Sequence, residues 1–250
     1  MSDIVFTPKL RRYMFNLAFR LVVVIAMFWL YVLHRDWFME LLTLPTFHHL
    51  TFLHVVWAVF MVIMLMHLFP SESRSMALLK SKEVNFVPVE NYSEFELLKF
   101  VQAQNRAAWR VMMVWLFFNA VWALLYLTGV IQEAELLLLT VFYFLCDYIC
   151  ILFFCPFQSK IMKNKCCVNC RIYDWGHFMM FTPMLFIKNF FSWSLFFTSL
   201  VVLIRWELVY AKYPERFWEG SNRTLQCAHC SDRTCQFKEK LRAPGRNGGD

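Results

Sequence analysis

Four long apolar runs constrain this chain more than any other feature. Residues 14–33, 52–69, 111–130 and 136–157 contain only Arg20 and Asp147 as charged residues, and each approaches the ~20 residues an α-helix needs to cross ~30 Å of hydrocarbon. No run alternates strictly between apolar and polar, as a membrane β-barrel strand must. A chain that is 59% hydrophobic with only six Gly exceeds a soluble domain. The expected class is an all-α integral membrane protein. The first run follows Lys9, Arg11 and Arg12 and precedes no small-residue cleavage site, so it reads as a retained span rather than a signal peptide.

Residues 172–210 are too long for one crossing and are interrupted by Lys188 and Asn189. They read either as two short helices, 173–187 and 190–210, or as a re-entrant half-helix followed by a crossing. Basic residues favour a turn at Lys188, because Lys and Arg accumulate in cytoplasmic loops. Three precede the first run, six lie in 74–110, four in 160–171 and eight after Tyr210, whereas Arg35 and Lys188 stand alone between them. The expectation is about six transmembrane helices, the fifth short or re-entrant, with both ends cytoplasmic in the plasma (inner) membrane. The net charge of +7 is then topological and calls for no nucleic acid.

The chain divides accordingly into a cytoplasmic start (1–13), two spans (14–69), a cytoplasmic loop (70–110), two spans (111–157), a cysteine loop (158–171), a membrane hairpin (172–210), a cysteine-containing tail (211–242) and a disordered end (243–250). Within 70–110, Ser93 followed by Glu96 is a capping-box signature, and the apolar spacing after it predicts an amphipathic helix running into the third span.

Six of the nine cysteines crowd the two cytoplasmic segments: Cys166, Cys167 and Cys170 in the loop, Cys227, Cys230 and Cys235 in the tail. Two CxxC turns can present four thiolates to one metal. Thiolate ligation suits zinc and iron–sulfur alike. Six thiols exceed the four of a structural zinc, which favours an iron–sulfur cluster such as a [4Fe-4S] centre, with zinc as the alternative. A cytoplasmic setting argues against disulfides. His229 inside the second knuckle reads as a spacer.

Asp147 lies at about the middle of the fourth run, flanked by Cys146 and Cys150. A carboxylate at that depth costs at least ~2.5 kcal/mol to insert, so it is expected to face the bundle interior and to handle protons. The histidines fall into an outer group (His34, His48, His49, His54) and an inner pair (His67, His177), which read as interfacial anchors or, in pairs, as haem ligands. Trp193, Trp206 and Trp218 match an aromatic belt, and Arg205 with Glu207 an interfacial anchor. Asn222-Arg223-Thr224 fits the glycosylation pattern on the wrong side of the membrane for its use.

No Walker loop, dinucleotide fingerprint or nucleophile elbow is present, which argues against a soluble-type NTPase or hydrolase. The function these features suggest is electron transfer between a cytoplasmic redox partner and a membrane carrier such as a quinone, through the thiolate centre. The alternatives are a soft-metal or cation transporter using Asp147, Cys146 and Cys150, and a zinc-stapled scaffold subunit.

Overall fold

Helices in this chain begin and end where side chains or glycine supply what a helix terminus lacks. The computed structural model describes residues 7–35, 52–69, 75–230, 232 and 235; the end expected to be disordered, His48 and His49 lie outside them. Thr7 accepts a hydrogen bond from Leu10 N at 3.1 Å and Pro8 follows it, opening α1 (Pro8–Leu33). Helix α2 covers Phe52–Leu68. Ser93 accepts from Glu96 N at 3.4 Å and opens α3 (Glu94–Leu127), which continues unbroken into the third apolar run. Gly129, at φ +77°, turns the chain after α3 in the left-handed region that glycine enters without strain. Glu135 accepts from Gln132 N at 2.7 Å to open α4 (Glu133–Leu152), and Asn189 accepts from Phe191 N at 3.0 Å to open α5 (Phe190–Lys212).

Among the described residues every regular element is helical, and the one strand-like link is a single bridge between Pro88 and Asn222. Helices α1, α3, α4 and α5 are long and apolar enough to cross a membrane, while α2 is shorter at 17 residues. Their outer faces carry large apolar side chains that protein leaves uncovered, Phe15 and Phe117 by more than 70%. Apolar surface of this extent is compatible with contact with a lipid bilayer. At 34 residues α3 is ~51 Å long, more than the ~30 Å thickness of a bilayer's hydrocarbon. Gln104, Ala107, Ala108, Val111, Trp115 and Asn119 form its buried stripe.

Residues 173–186 form the centre of the bundle. They comprise a 3₁₀ turn (Tyr173–Trp175), a short α-helix (Gly176–Phe181) and a second 3₁₀ turn (Thr182–Phe186). This segment runs beside α5 in the opposite sense. Trp175 Nε1 donates to Glu207 at 2.8 Å, the Phe178 and Phe196 rings lie 5.9 Å apart, and Trp193 Nε1 donates to the Leu185 carbonyl at 3.2 Å. The other helices enclose it: Trp115 of α3 donates to Thr182 at 3.1 Å, and Phe60 of α2 stands edge-on to Phe181 at 5.4 Å. Protein surrounds this irregular backbone, and Phe178, Met180, Phe181, Met184 and Ile187 are buried within it.

Helix α1 packs on α4 through Asn16 and Tyr148 (2.8 Å), and α2 on α5 through Trp57 and Ser194 (2.8 Å). Trp206, expected in an aromatic belt, is instead buried and donates to the Arg171 carbonyl at 2.7 Å. Its neighbours also turn inward. Glu207 receives Arg171 and Trp175, while Arg205 on another face donates to the His67 carbonyl at 3.3 Å.

One end of the bundle carries a polar cap. Asp232 of the tail, almost fully buried, accepts from Lys9 at 3.0 Å, Ser75 Oγ at 2.9 Å and Met76 N at 3.1 Å. Ala77, Val168 and Leu225 pack beneath that junction. The start of α1, the segment after Ser75, the cysteine loop and the tail therefore meet at the same end. At the opposite end Arg35 reaches Glu135 and Gln132, each at 3.3 Å.

Candidate metal centres

Both CxxC segments adopt the same tight turn. Cys170 N donates to the Cys167 carbonyl at 3.1 Å, and Cys230 N to the Cys227 carbonyl at 3.3 Å. The loop's thiols then diverge. Cys166 packs with the tail's Cys230 around Val168 and Leu225, whereas Cys167 turns inward, with Sγ 3.3 Å from Gln158 Oε1 and 3.9 Å from the Cys150 carbonyl. Cys170 is buried beside Cys167 and within electrostatic reach of Cys155, and Cys155 is hydrogen-bonded to Cys150. Cys227 is exposed and Cys235 half-buried. The structure thus sets two residues outside the expected ligand set, Cys150 and Cys155 at the end of α4, beside Cys167 and Cys170. The sequence places Cys150 with Asp147 and Cys146 in the alternative transport path and does not single out Cys155 as a ligand. Among the described residues no three cysteine sulfurs lie within 4.8 Å of one another, so a shared metal requires the thiols to draw together.

Lys80 holds the first knuckle. Its side chain is 1% exposed, and Nζ donates to the carbonyls of Val168 (2.7 Å) and Cys170 (2.6 Å). The same ammonium lies 5.6 Å from the Trp206 ring and 5.4 Å from that of Phe217. Burial lowers the lysine to about 8, against the opposing pull of Cys170, Cys166 and Cys167. Burial raises the Cys170 thiol to about 12 and also raises Cys166; Lys80 pulls Cys170 the other way. Lys80 offsets part of that rise, but burial outweighs it, so the thiol form is favoured until a metal displaces the proton.

Asp147 finds its partner in α1. Arg20 Nη1 lies 2.9 Å from Asp147 Oδ2 and also donates to the Phe144 carbonyl, with the guanidinium 4.0 Å from the Phe144 ring centre and 3.9 Å from that of Tyr148. Asp147 Oδ1 faces Gly176, where an added Cβ would stand 2.9 Å from it. With α4 ending at Leu152, Asp147 sits toward the cap rather than at mid-span.

A second group lies beneath the cap. His67 Nδ1 is 2.7 Å from Asp174 Oδ1, and the His67 and His177 rings meet edge to face at 4.5 Å. Rings in direct contact leave no room for a haem between them. One donor atom from each of His67, Asp174 and His177 falls within 4.8 Å of the others. The sequence sets Asp174 at the start of the membrane hairpin without singling it out; its spacing of three to His177 across a helical turn was the available signal.

A groove of about 600 Å³ runs between α3 and α5. Its walls include Val101, Trp109, Leu203, Ile204 and Leu208, and its polar end is Asn105, Arg171 and Glu207. Arg171 stacks over Tyr210 at 4.1 Å and bridges Asn105 and Glu207. No protein-family model, curated protein or solved structure matches the chain.

Proposed function

We propose that this is a multi-pass membrane metalloprotein that moves electrons between a cytoplasmic partner and a lipid-soluble carrier such as a quinone, through a thiolate-held centre in its cap. The observation that carries the reading is the convergence of Cys150, Cys155, Cys167 and Cys170 at the boundary of bundle and cap, beside the buried Lys80 ammonium. Cys166, Cys227, Cys230 and Cys235 form the outer thiol set. An iron–sulfur cluster would supply one-electron chemistry at such a donor set, and zinc would supply none. This chain's residues would place the centre and shield it from water, and Lys80 would offset part of the cost of burying its thiolates. Because the thiols must draw together, metal loading would also tighten the cap.

The groove between α3 and α5 suits the carrier. Its apolar walls are open to lipid at Trp109 and Leu208, and its polar end contains Arg171, the residue directly after Cys170.

In the proposed topology the chain crosses six times in the plasma (inner) membrane, with residues 173–186 as the short fifth crossing and the cap in the cytoplasm. At ~2.0 Å per 3₁₀ residue and 1.5 Å per α residue, that segment covers ~25 Å. The shared location of Lys9, the basic loops and the tail at one end agrees with positive charge retained inside. A cation path through Asp147 is less favoured, because Arg20 already balances that carboxylate.

The test is anaerobic purification in detergent with iron, zinc and acid-labile sulfide analysis and a spectrum before and after dithionite. Iron with sulfide and a bleachable band, lost in Cys167→Ser and Cys170→Ser, is the expected result. Zinc alone without a visible band would refute electron transfer and leave the zinc-stapled scaffold, which the Lys9–Asp232 closure of the cap also suits.

A further inference from the structure

We infer that His67, Asp174 and His177 form a second metal site, inside the bundle and separate from the thiols, that takes a divalent first-row cation of borderline hardness such as Zn²⁺, Fe²⁺ or Co²⁺. Two imidazoles and one carboxylate are the donors that such cations share, whereas soft monovalent copper prefers sulfur and Mg²⁺ or Ca²⁺ prefer all-oxygen sites.

The three residues come from segments far apart in the chain. His67 ends α2, and Asp174 and His177 lie on consecutive turns of the central segment. Their donor atoms nevertheless lie within 4.8 Å of one another. Asp174 is 5% exposed and positioned 2.7 Å from His67 Nδ1. A carboxylate on one ring nitrogen fixes the tautomer and directs the other nitrogen's lone pair outward, the arrangement that orients metal-bound histidines. The local backbone favours the same geometry. A 3₁₀ turn passing into α-helix at Gly176 brings Asp174 and His177 together, and the missing side chain at Gly176 leaves room for Asp147 Oδ1, which a Cβ there would meet at 2.9 Å.

The surrounding charges govern how tightly this site binds. Asp147 and Asp174 are the acids, opposed by Arg20 on Asp147 and by Arg205, which reaches the His67 carbonyl and interacts with Asp174; Lys80 also acts on Asp174 from the cap. Two arginines offset two carboxylates before any metal arrives. The site therefore holds an exchangeable cation rather than a permanently buried one, and it lies only four residues beyond Cys170 in the chain. A redox-active metal here would stand between the cap and the membrane interior; the assignment does not depend on the thiol reading.

The experiment uses the full chain in detergent, purified without a polyhistidine tag and stripped of metal, titrated anaerobically with Co²⁺. The expected result is a cobalt component with visible ligand-field bands and no thiolate charge transfer. His67→Gln or His177→Gln should abolish it, and Asp174→Asn, which replaces a carboxylate donor by a neutral amide and also loses its hold on His67, should weaken it at least about 10- to 100-fold. Cys167→Ser with Cys170→Ser should remove any thiolate charge-transfer band and leave that component intact, which separates failure of this site from failure of the cap. X-ray absorption at the cobalt edge of wild-type protein with alkylated thiols gives a reading independent of variant folding. One equivalent of cobalt with an imidazole-containing nitrogen and oxygen shell supports the site, and no stoichiometric cobalt of that kind overturns it. Unchanged binding in the folded His67→Gln, His177→Gln double variant would overturn it too.

Discussion

Replacing Arg20 with Met isolates the intramembrane ion pair. The substitution keeps an unbranched apolar side chain of similar reach but removes the 2.9 Å contact to Asp147, the bond to the Phe144 carbonyl and the guanidinium over Phe144 and Tyr148. Two values bracket the loss. Stranding one member of a buried pair costs about 3–5 kcal/mol, and a lone carboxylate within a span costs at least ~2.5 kcal/mol. The Asp147 side chain is 33% exposed and that of Arg20 16%, so the pair is not fully enclosed and the lower end applies. A loss of about 3 kcal/mol is therefore expected. Reversible unfolding in mixed micelles would measure it for Arg20→Met, Asp147→Leu and the double variant. The double variant should be more stable than Arg20→Met, because removing both charges leaves nothing stranded. If Arg20→Met loses less than about 1 kcal/mol, or the two losses simply add, the pair does not hold α1 to α4 as argued.

Three further outcomes follow from buried contacts. Lys80 has a folded value of about 8, below its ordinary 10.5, so between those values the unfolded chain binds a proton that the folded chain lacks. Stability should rise with pH across that window by up to about 3 kcal/mol from this residue. The raised Cys166 and Cys170 thiols act in the opposite sense as the unfolded thiols ionise, so the measurable quantity is the difference in pH dependence between wild type and Lys80→Met; no difference would refute the buried lysine. Gly176→Ala places a methyl 2.9 Å from Asp147 Oδ1 and should cost about 1–3 kcal/mol by overpacking, seen as a lower melting temperature in detergent. Asn222, fully buried, accepts from Thr224 N at 3.1 Å and donates to the Arg216 carbonyl at 2.9 Å. Asn222→Ala should destabilise the cap by about 1–3 kcal/mol, measurable as faster limited proteolysis of the tail.

What the sequence determined was local. Helical membrane class follows from the apolar runs, and the start of α3 from Ser93 and Glu96, because a helix cap involves residues three apart. Both CxxC turns follow from their spacing for the same reason. Tertiary structure alone decided which polar groups meet. Arg20 and Asp147 are 127 residues apart, and His67 and Asp174 are 107 apart. Hydropathy places a residue within a span but says nothing of the helix's rotation about its own axis, which packing against neighbours sets. That rotation turned Trp206 inward from the expected belt, set Cys150 beside the loop's Cys167, and joined Arg20 to Asp147. The central segment, 173–186, is the clearest case. Its mixed 3₁₀ and α backbone has no strong period of its own, and it keeps that form because α2, α3, α4 and α5 enclose it.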